Sequence, residues 1–402
     1  MRTLGVRILI LHQYYCPPGG WGNDRSFDFA REWAAAGHEV EVLTSQAYFP
    51  PDQRRPRALR LAVAGHRVLA LPVPYEQRMG WLRRSWAFVS FFVRGLAAGL
   101  GLARPDVIYA CSTPPTVGWL GRLLARWHGC PWCFEVIDVW PQVPIGMGLV
   151  RSRALAALLH AATDPLYRSA RVVVTLSAGM RGQIAQRPTA PARIHVLENG
   201  TQPERFRPAP EDPSVLRLVY IGAVGRANGL GVLAEVARRV LAQRPGVRFE
   251  VCGWGSHWAA LAAATADLAA FRLVPAQPKD EVAHWLQGAA IGLCVFAPLP
   301  VLEANSANKF FDYLAAGLPV VLNYGGWQAA LLEEAGCGRW APAGDLDAWE
   351  RVLLELIDAP DLRRQMGGAA RRLACQRFDR RQLAAQALDL VGAAAQPLSR
   401  PN

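Results

Sequence analysis

The residues best placed to do chemistry lie late in the chain, in Asn308-Lys309-Phe310-Phe311-Asp312-Tyr313-Leu314-Ala315-Ala316-Gly317-Leu318-Pro319. A carboxylate such as Asp312, in the first turns of a helix beside parallel strands, can accept hydrogen bonds from a ribose diol. Amides at the start of that helix can hold a diphosphate, and Lys309 adds a cation there. The plainer reading of the same residues is a solvated helix ahead of a buried strand. What adds weight is Gly222-Ala223-Val224-Gly225-Arg226-Ala227-Asn228-Gly229, a glycine loop with Gly225 and Arg226 at its centre. A guanidinium is a strong, directional phosphate donor, although surface exposure would also explain it. Arg226 and Lys309 for a diphosphate, with Asp312 for ribose, is a division of labour that suits a nucleoside diphosphate.

Three further clusters carry polar groups at strand ends. In His12-Gln13-Tyr14-Tyr15-Cys16-Pro17-Pro18-Gly19-Gly20-Trp21-Gly22, Gly19 and Gly20 permit a tight turn and close approach of a ligand. That loop lacks the spacing of a dinucleotide or phosphate-loop motif, so structural loop and ligand loop both stand. His12 is either a polar contact or an ordinary loop residue. In Phe134-Glu135-Val136-Ile137-Asp138-Val139-Trp140-Pro141, Asp138 could orient an acceptor hydroxyl or stabilise developing positive charge. Glu135 is a second candidate, with an internal salt bridge as its alternative. Cys130-Pro131-Trp132-Cys133 has no second cysteine pair to complete a metal site and opens a strand, which favours a packing role. No metal is expected.

These groups need elements to hold them. Val6 to Leu11 reads as a buried strand, followed by the first glycine loop, a helix over about 25–36 closed by Gly37, and a strand over 39–44. Further strands are expected at 68–71, 107–110, 132–136 and 172–175. The pattern restarts near Leu216, with strands at 218–221, 248–252, 271–274, 291–295 and 319–322 and a helix over about 230–243. Repeated strand–helix alternation predicts an α/β protein with two parallel-sheet domains. The 402 residues suit two cores. The expected division is 1–205, 206–379 and a last helix, 380–396, returning to the first domain; the proline-rich run 203–213 is the connector, and the tail from Pro397 is read as mobile. The cleft between two such domains is the default active site.

Composition narrows the partners. Hydrophobic residues make up 51% and charged residues 19%, which fits a packed protein. The formal charge of +12 would attract nucleic acid, anionic lipid or phosphorylated substrates, but the arginines are dispersed and no aromatic–basic motif argues for nucleic acid. No disulfide spacing is evident, and a reducing cytosol fits the cysteines. Val6 to Leu11 is short and interrupted by Arg7, so no signal peptide is expected. The stretch 81–103 places Trp81, Phe88, Phe92 and Leu96 on one helical face, with Arg83 and Arg94 opposite. Either it is a core helix or it lies in a membrane interface.

Taken together, the motifs resemble those of retaining glycosyltransferases of family 4, and within them the WbuB-like branch used in building O-antigen and capsular repeat units. The likeness spans nearly the whole chain. It rests on His12-Gln13-Tyr14-Tyr15 with Pro17-Pro18, Gly37-His38-Glu39-Val40, Phe134 through Pro141 and Leu197-Glu198-Asn199-Gly200. It continues in Gly225 through Gly229 and Asn308 through Tyr313. The resemblance implies the GT-B fold, two Rossmann-like domains facing each other across a cleft. It implies retaining transfer of a hexose or N-acetylhexosamine from a nucleotide sugar, most simply a UDP-sugar, without bound metal or other cofactor. The implied acceptor is a polyprenyl-diphosphate-linked saccharide, which places the protein in the cytoplasm against the inner face of the membrane. Arg226 and Lys309 would neutralise the leaving diphosphate, whose phosphate would take the acceptor proton.

The chain departs from the family at several positions. Of the family's two acids with seven residues between them, Asp312 keeps the second while Ala304 replaces the first, and Glu303 stands one position off register. Ser306-Ala307-Asn308-Lys309 answers the branch's Ser-Pro-Asn-Lys, so Ser306 and loop amides would take over donor contacts. Ala223, Asn228 and Ile137 replace residues that are basic in many relatives. Two rival readings follow: a nucleotide-sugar epimerase of the same fold, which needs no lipid acceptor, and a non-catalytic nucleotide-sugar-binding subunit, which Ala304 would suit.

Overall fold

The computed structural model describes residues 5–20, 22, 24–76, 79–212 and 214–396; the tail from Pro397 lies outside the described residues. The chain forms two compact units, one running to Glu198 and resuming at Arg380, the other Asn199–Asp379. The residues 199–205, placed by sequence before the domain boundary, belong to the second unit. Thr201 N donates to Phe378 O at 2.9 Å and Arg371 Nη1 donates to Pro203 O at 2.7 Å.

The first unit holds strands β1 (Arg7–Leu11), β2 (Glu39–Ser45), β3 (Leu59–Val63), β4 (His66–Leu71), β5 (Val107–Cys111), β6 (Trp132–Val136), β7 (Val172–Thr175) and β8 (Ile194–Val196). Its helices are α1 (Arg25–Ala35), α2 (Trp81–Leu100), α3 (Thr116–His128), α4 (Gln142–Gly146), α5 (Arg153–Ser169) and α6 (Ala178–Ala185). The sheet order is β3-β4-β2-β1-β5-β6-β7-β8, parallel except for β3 against β4. Strands such as Arg-Ile-Leu-Ile-Leu and Val-Ile-Tyr-Ala-Cys are buried along nearly their whole length, as expected when helices cover both faces. The winding direction reverses between β1 and β5. The loops leaving those two strands therefore meet at a topological switch point, where open α/β sheets bind ligands.

In the second unit the strands are β9 (Leu216–Ala223), β10 (Val247–Trp254), β11 (Phe271–Pro275), β12 (Ile291–Cys294), β13 (Val320–Leu322) and β14 (Gly338–Trp340). The helices are α7 (Gly231–Gln243), α8 (Trp258–Ala264), α9 (Lys279–Trp285), α10 (Asn308–Ala315), α11 (Trp327–Ala335), α12 (Leu346–Asp358) and α13 (Pro360–Arg377). Order β11-β10-β9-β12-β13-β14, all parallel, puts this unit's switch point between β9 and β12. The Gly222–Gly229 loop leaves β9 there.

The chain then closes the first unit with α14 (Arg380–Ala395), which packs on α1. Leu383, Ala384, Ala387 and Val391 enter the same core as β1, β2 and Trp33. Trp33 Nε1 donates to Ala384 O at 2.7 Å, and the buried Arg380 guanidinium reaches Asp28 at 3.1 Å and Asp24 at 3.4 Å.

The expected face of α2 is rotated in the structure. Ala87, Phe91, Gly95 and Gly99 form the buried stripe, Phe88, Phe92 and Leu96 are half-buried, and Trp81 is exposed. Small residues let α2 approach α3 closely. A Cβ on Gly95 would lie 2.8 Å from Leu120 Cδ2, and one on Gly99 2.5 Å from Leu124 Cδ1.

Candidate active site

In the second unit the residues gather on the start of α10. Ala307 occupies the N-cap and contributes no side-chain cap, so the first-turn amides lack the acceptor that Ser, Thr, Asp or Asn would supply. Ser306 Oγ and Asn308 Oδ1 lie buried there with no hydrogen-bond partner among the described residues. Ser306 O accepts from Asn199 Nδ2 at 2.6 Å, which pins the loop. Lys309 folds back under Gly222, whose φ of +123° and missing Cβ leave room for it; a Cβ would stand 3.2 Å from Lys309 Cε. Its Nζ donates to Tyr220 Oη at 2.6 Å and lies 3.9 Å from the centre of that ring. Burial pushes the Lys309 ammonium down to about 8, and Cys294 acts weakly the other way. An ammonium this easily deprotonated gains from any anion placed beside it.

Arg226 stands exposed in the loop that Gly222 begins, so both predicted cations belong to segments that meet at Gly222. Gly225 O accepts from the amides of Asn228 and Gly229, at 3.1 and 3.2 Å, which curls the loop. Asp312, in the second turn of α10, is 3% exposed and already engaged. Its Oδ2 accepts from Lys279 Nζ at 2.5 Å and its Oδ1 from Thr201 Oγ1 at 3.1 Å. Neither partner, nor Tyr220, was singled out from sequence. Glu303 sits in the 3₁₀ turn Pro300–Ala304 and lines a cavity of about 210 Å³ with Phe296, Leu299 and Tyr324.

The first unit has its own polar group, at the ends of β5 and β6. Asp138, just after β6, accepts from Thr113 Oγ1 at 3.1 Å, and burial raises its carboxyl above the ordinary range while that bond opposes the rise. Thr113 follows β5 with φ +107°, a strained setting for a β-branched residue. Ser112 Oγ accepts from Ile137 N at 3.0 Å and joins the two strand ends.

Glu135 is a buried ion-pair partner. Arg25 Nε donates to its Oε1 at 2.8 Å and Tyr109 Oη donates to the same atom at 2.8 Å. Burial alone would raise this carboxyl, but Arg25 holds it below the usual range. His12 Nδ1 lies 2.7 Å from Ser26 Oγ, and burial lowers the ring to about 4 against the pull of Glu135, so it is neutral near pH 7. Gly20 N donates to Pro17 O at 2.9 Å, and Gly20 is pressed against the Tyr48 carbonyl, while Gly19 is exposed with φ +76°. Gly20 thus serves the turn itself. Burial lifts the thiols of Cys130 and Cys133 to about 11 and about 12, far from a reactive thiolate.

Residues 23–200 match the glycosyl transferase 4-like domain, and residues 216–359 match the glycosyl transferases group 1 family. The chain is a member of the GT4-like glycosyltransferase superfamily. This glycosyltransferase is 26% identical over 387 residues to a D-inositol 3-phosphate glycosyltransferase from Thermobispora bispora, covering 89% of the chain and 86% of the relative. Its fold is GT-B. It superposes on a sucrose-phosphate synthase from Thermosynechococcus elongatus with a TM-score of 0.77 at 16% identity, over 96% of this chain and 98% of that one. Against Anabaena HepE, solved in complex with UDP and glucose, the TM-score is 0.71 at 14% identity, over 96% and 100% of the chains.

Proposed function

We propose that this glycosyltransferase moves a hexose or N-acetylhexosamine, with retention, from a UDP-sugar to a polyprenyl-diphosphate-linked saccharide. It would work at the inner face of the cytoplasmic membrane in surface polysaccharide synthesis of the WbuB-like kind. The observation that carries the donor half is the uncapped start of α10, with Ser306 Oγ and Asn308 Oδ1 buried and unpartnered among the described residues, beside the buried Lys309. A diphosphate supplies what this site lacks: acceptors for the amides and Ser306, and negative charge for Lys309. UDP in HepE and the D-inositol 3-phosphate glycosyltransferase relative support a sugar transfer of this class.

In this reading the bond between the sugar's anomeric carbon and the donor phosphate oxygen breaks, and its electron pair stays on the diphosphate. Lys309 and Arg226 stabilise that charge. The acceptor oxygen bonds to the same face of the anomeric carbon, and its proton passes to the departing phosphate. Asp138, held by Thr113, orients the acceptor hydroxyl. Asp312 takes the ribose by exchanging Lys279 for a diol, and Gly19 offers backbone to the ligand.

The test is incubation of purified protein with UDP-, GDP- and TDP-sugars, with and without membrane lipid extract, followed by mass spectrometry of the lipids. Extension of a lipid-linked saccharide by one UDP-sugar is the expected result. Conversion of the UDP-sugar that proceeds equally well without lipid would overturn it in favour of an epimerase.

A further inference from the structure

The exposed large hydrophobic side chains of this protein are not scattered. Among the described residues, eleven of the twelve lie on α2, α3, α5 or the turn into α5, and none lies between 199 and 379. On α2 the outward stripe is Leu82, Trp86, Val89, Val93 and Leu100, at helical spacing, with Trp86 73% exposed. The opposite, buried stripe has only Phe91 among its described large residues, beside Ala87, Gly95 and Gly99, so most of this helix's bulk faces away from the core. α3 continues the surface with Leu123 and Trp127, the latter 66% exposed. α5 completes it: none of its first ten residues, Arg-Ala-Leu-Ala-Ala-Leu-Leu-His-Ala-Ala, is buried, and Leu158 is 64% exposed. The three helices are neighbours. α2 packs on α3 through Gly95 and Gly99, and Trp119 of α3 donates to Ala162 O of α5 at 3.0 Å.

Charge selects the occupant. α2, α3 and the first eleven residues of α5 contain no Asp or Glu, while Arg83, Arg94, Arg126 and Arg153 are exposed among the apolar side chains. A second copy of the chain would bring arginine against arginine. A surface of anionic headgroups over acyl chains satisfies both components, with Trp at the boundary and Arg in the headgroups. Beside α2 a groove of about 540 Å³, walled by Pro72, Val73, Met79, Leu82 and Trp86 with Arg83 and Arg94 at its rim, extends the apolar area. No helix among the described residues is long and apolar enough to cross a membrane, so contact would be interfacial.

We propose that α2, α3 and α5 together form one face that docks on anionic lipid. The inference deepens the reading above, on which its biological use rests, by assigning the surface and the headgroup charge. The test is co-sedimentation of the full chain with vesicles of phosphatidylcholine, alone or mixed equally with phosphatidylglycerol. Binding is expected on the mixed vesicles only, weaker in high salt. It should fall at least about tenfold in a Trp86→Glu/Leu158→Glu variant, with an unchanged melting temperature because both side chains are solvent-facing. Failure to bind, binding that the variant leaves intact, or a dimer that the variant abolishes would overturn the proposal. Transfer to a water-soluble acceptor analogue separates the two readings. If transfer fails while vesicle binding holds, the function falls and the docking face stands.

Discussion

At the residue scale the donor site is a set of groups awaiting a counter-charge. Lys309 has an ammonium lowered to about 8 by burial, so its cation is fully present below that pH and lost above it. UDP-sugar affinity should therefore be level below pH 8 and weaken up to about tenfold per unit above it, read by calorimetric titration from pH 7 to 9.5. Lys309→Met should remove that dependence and lower kcat/KM for transfer about 100- to 1000-fold. Asp312 makes a different case, because Lys279 already occupies it at 2.5 Å. If the ribose displaces Lys279, Lys279→Gln tightens UDP about tenfold and leaves a 2′,3′-dideoxy analogue unchanged. Equal gains for both nucleotides would show that Asp312 does not take the diol. Such partnerships were not readable from the chain. Lys309 and Tyr220 are 89 residues apart, and Arg25 and Glu135 are 110 apart. Asp138 and Lys309 were visible because strand ends and helix starts follow from local pattern; their partners depend on which strands the sheet makes adjacent.

Among the elements, the buried strands were the most legible, since runs such as Val-Ile-Tyr-Ala-Cys and Val-Val-Val-Thr need helices on both faces. β3, β8 and β14 escaped notice because they are the short or exposed edge strands. β3 pairs with β4 through Ala64 and Gly65, both with positive φ, a two-residue turn whose glycine was the available signal. α2 misled the reading for a physical reason. Its aromatic residues outweigh its glycines in any hydrophobic pattern, yet close helix packing selects the glycines. Gly99→Val should therefore cost about 1–3 kcal/mol in denaturant unfolding, because its side chain meets Leu124. A similar cost from Ala97→Val, on the exposed side, would contradict this orientation.

For the whole molecule, two doubly wound sheets are what the alternation of strands and helices foretold, and the two candidate glycine loops leave the strands at their switch points, β1 and β9. The stability of the first unit hangs on an ion cluster made by the chain's last helix. Arg380→Met would take from the buried Asp28 its ion pair with α14, and should cost about 3 kcal/mol in thermal or denaturant unfolding. A change below about 0.5 kcal/mol would mean the cluster contributes nothing net. The same helix sets an order of events during synthesis. Residues 1–198 leave the ribosome first, but the α14 side chains that complete their core are encoded beyond residue 379. At roughly 5–20 residues per second, the first unit waits on the order of ten to forty seconds for its missing helix. Through that interval Trp33 and the face of α1 stand uncovered, while the second unit, whose residues are contiguous, can already fold. The half of the protein translated first is therefore the half that is finished last, and chaperones would be expected to meet it unfinished.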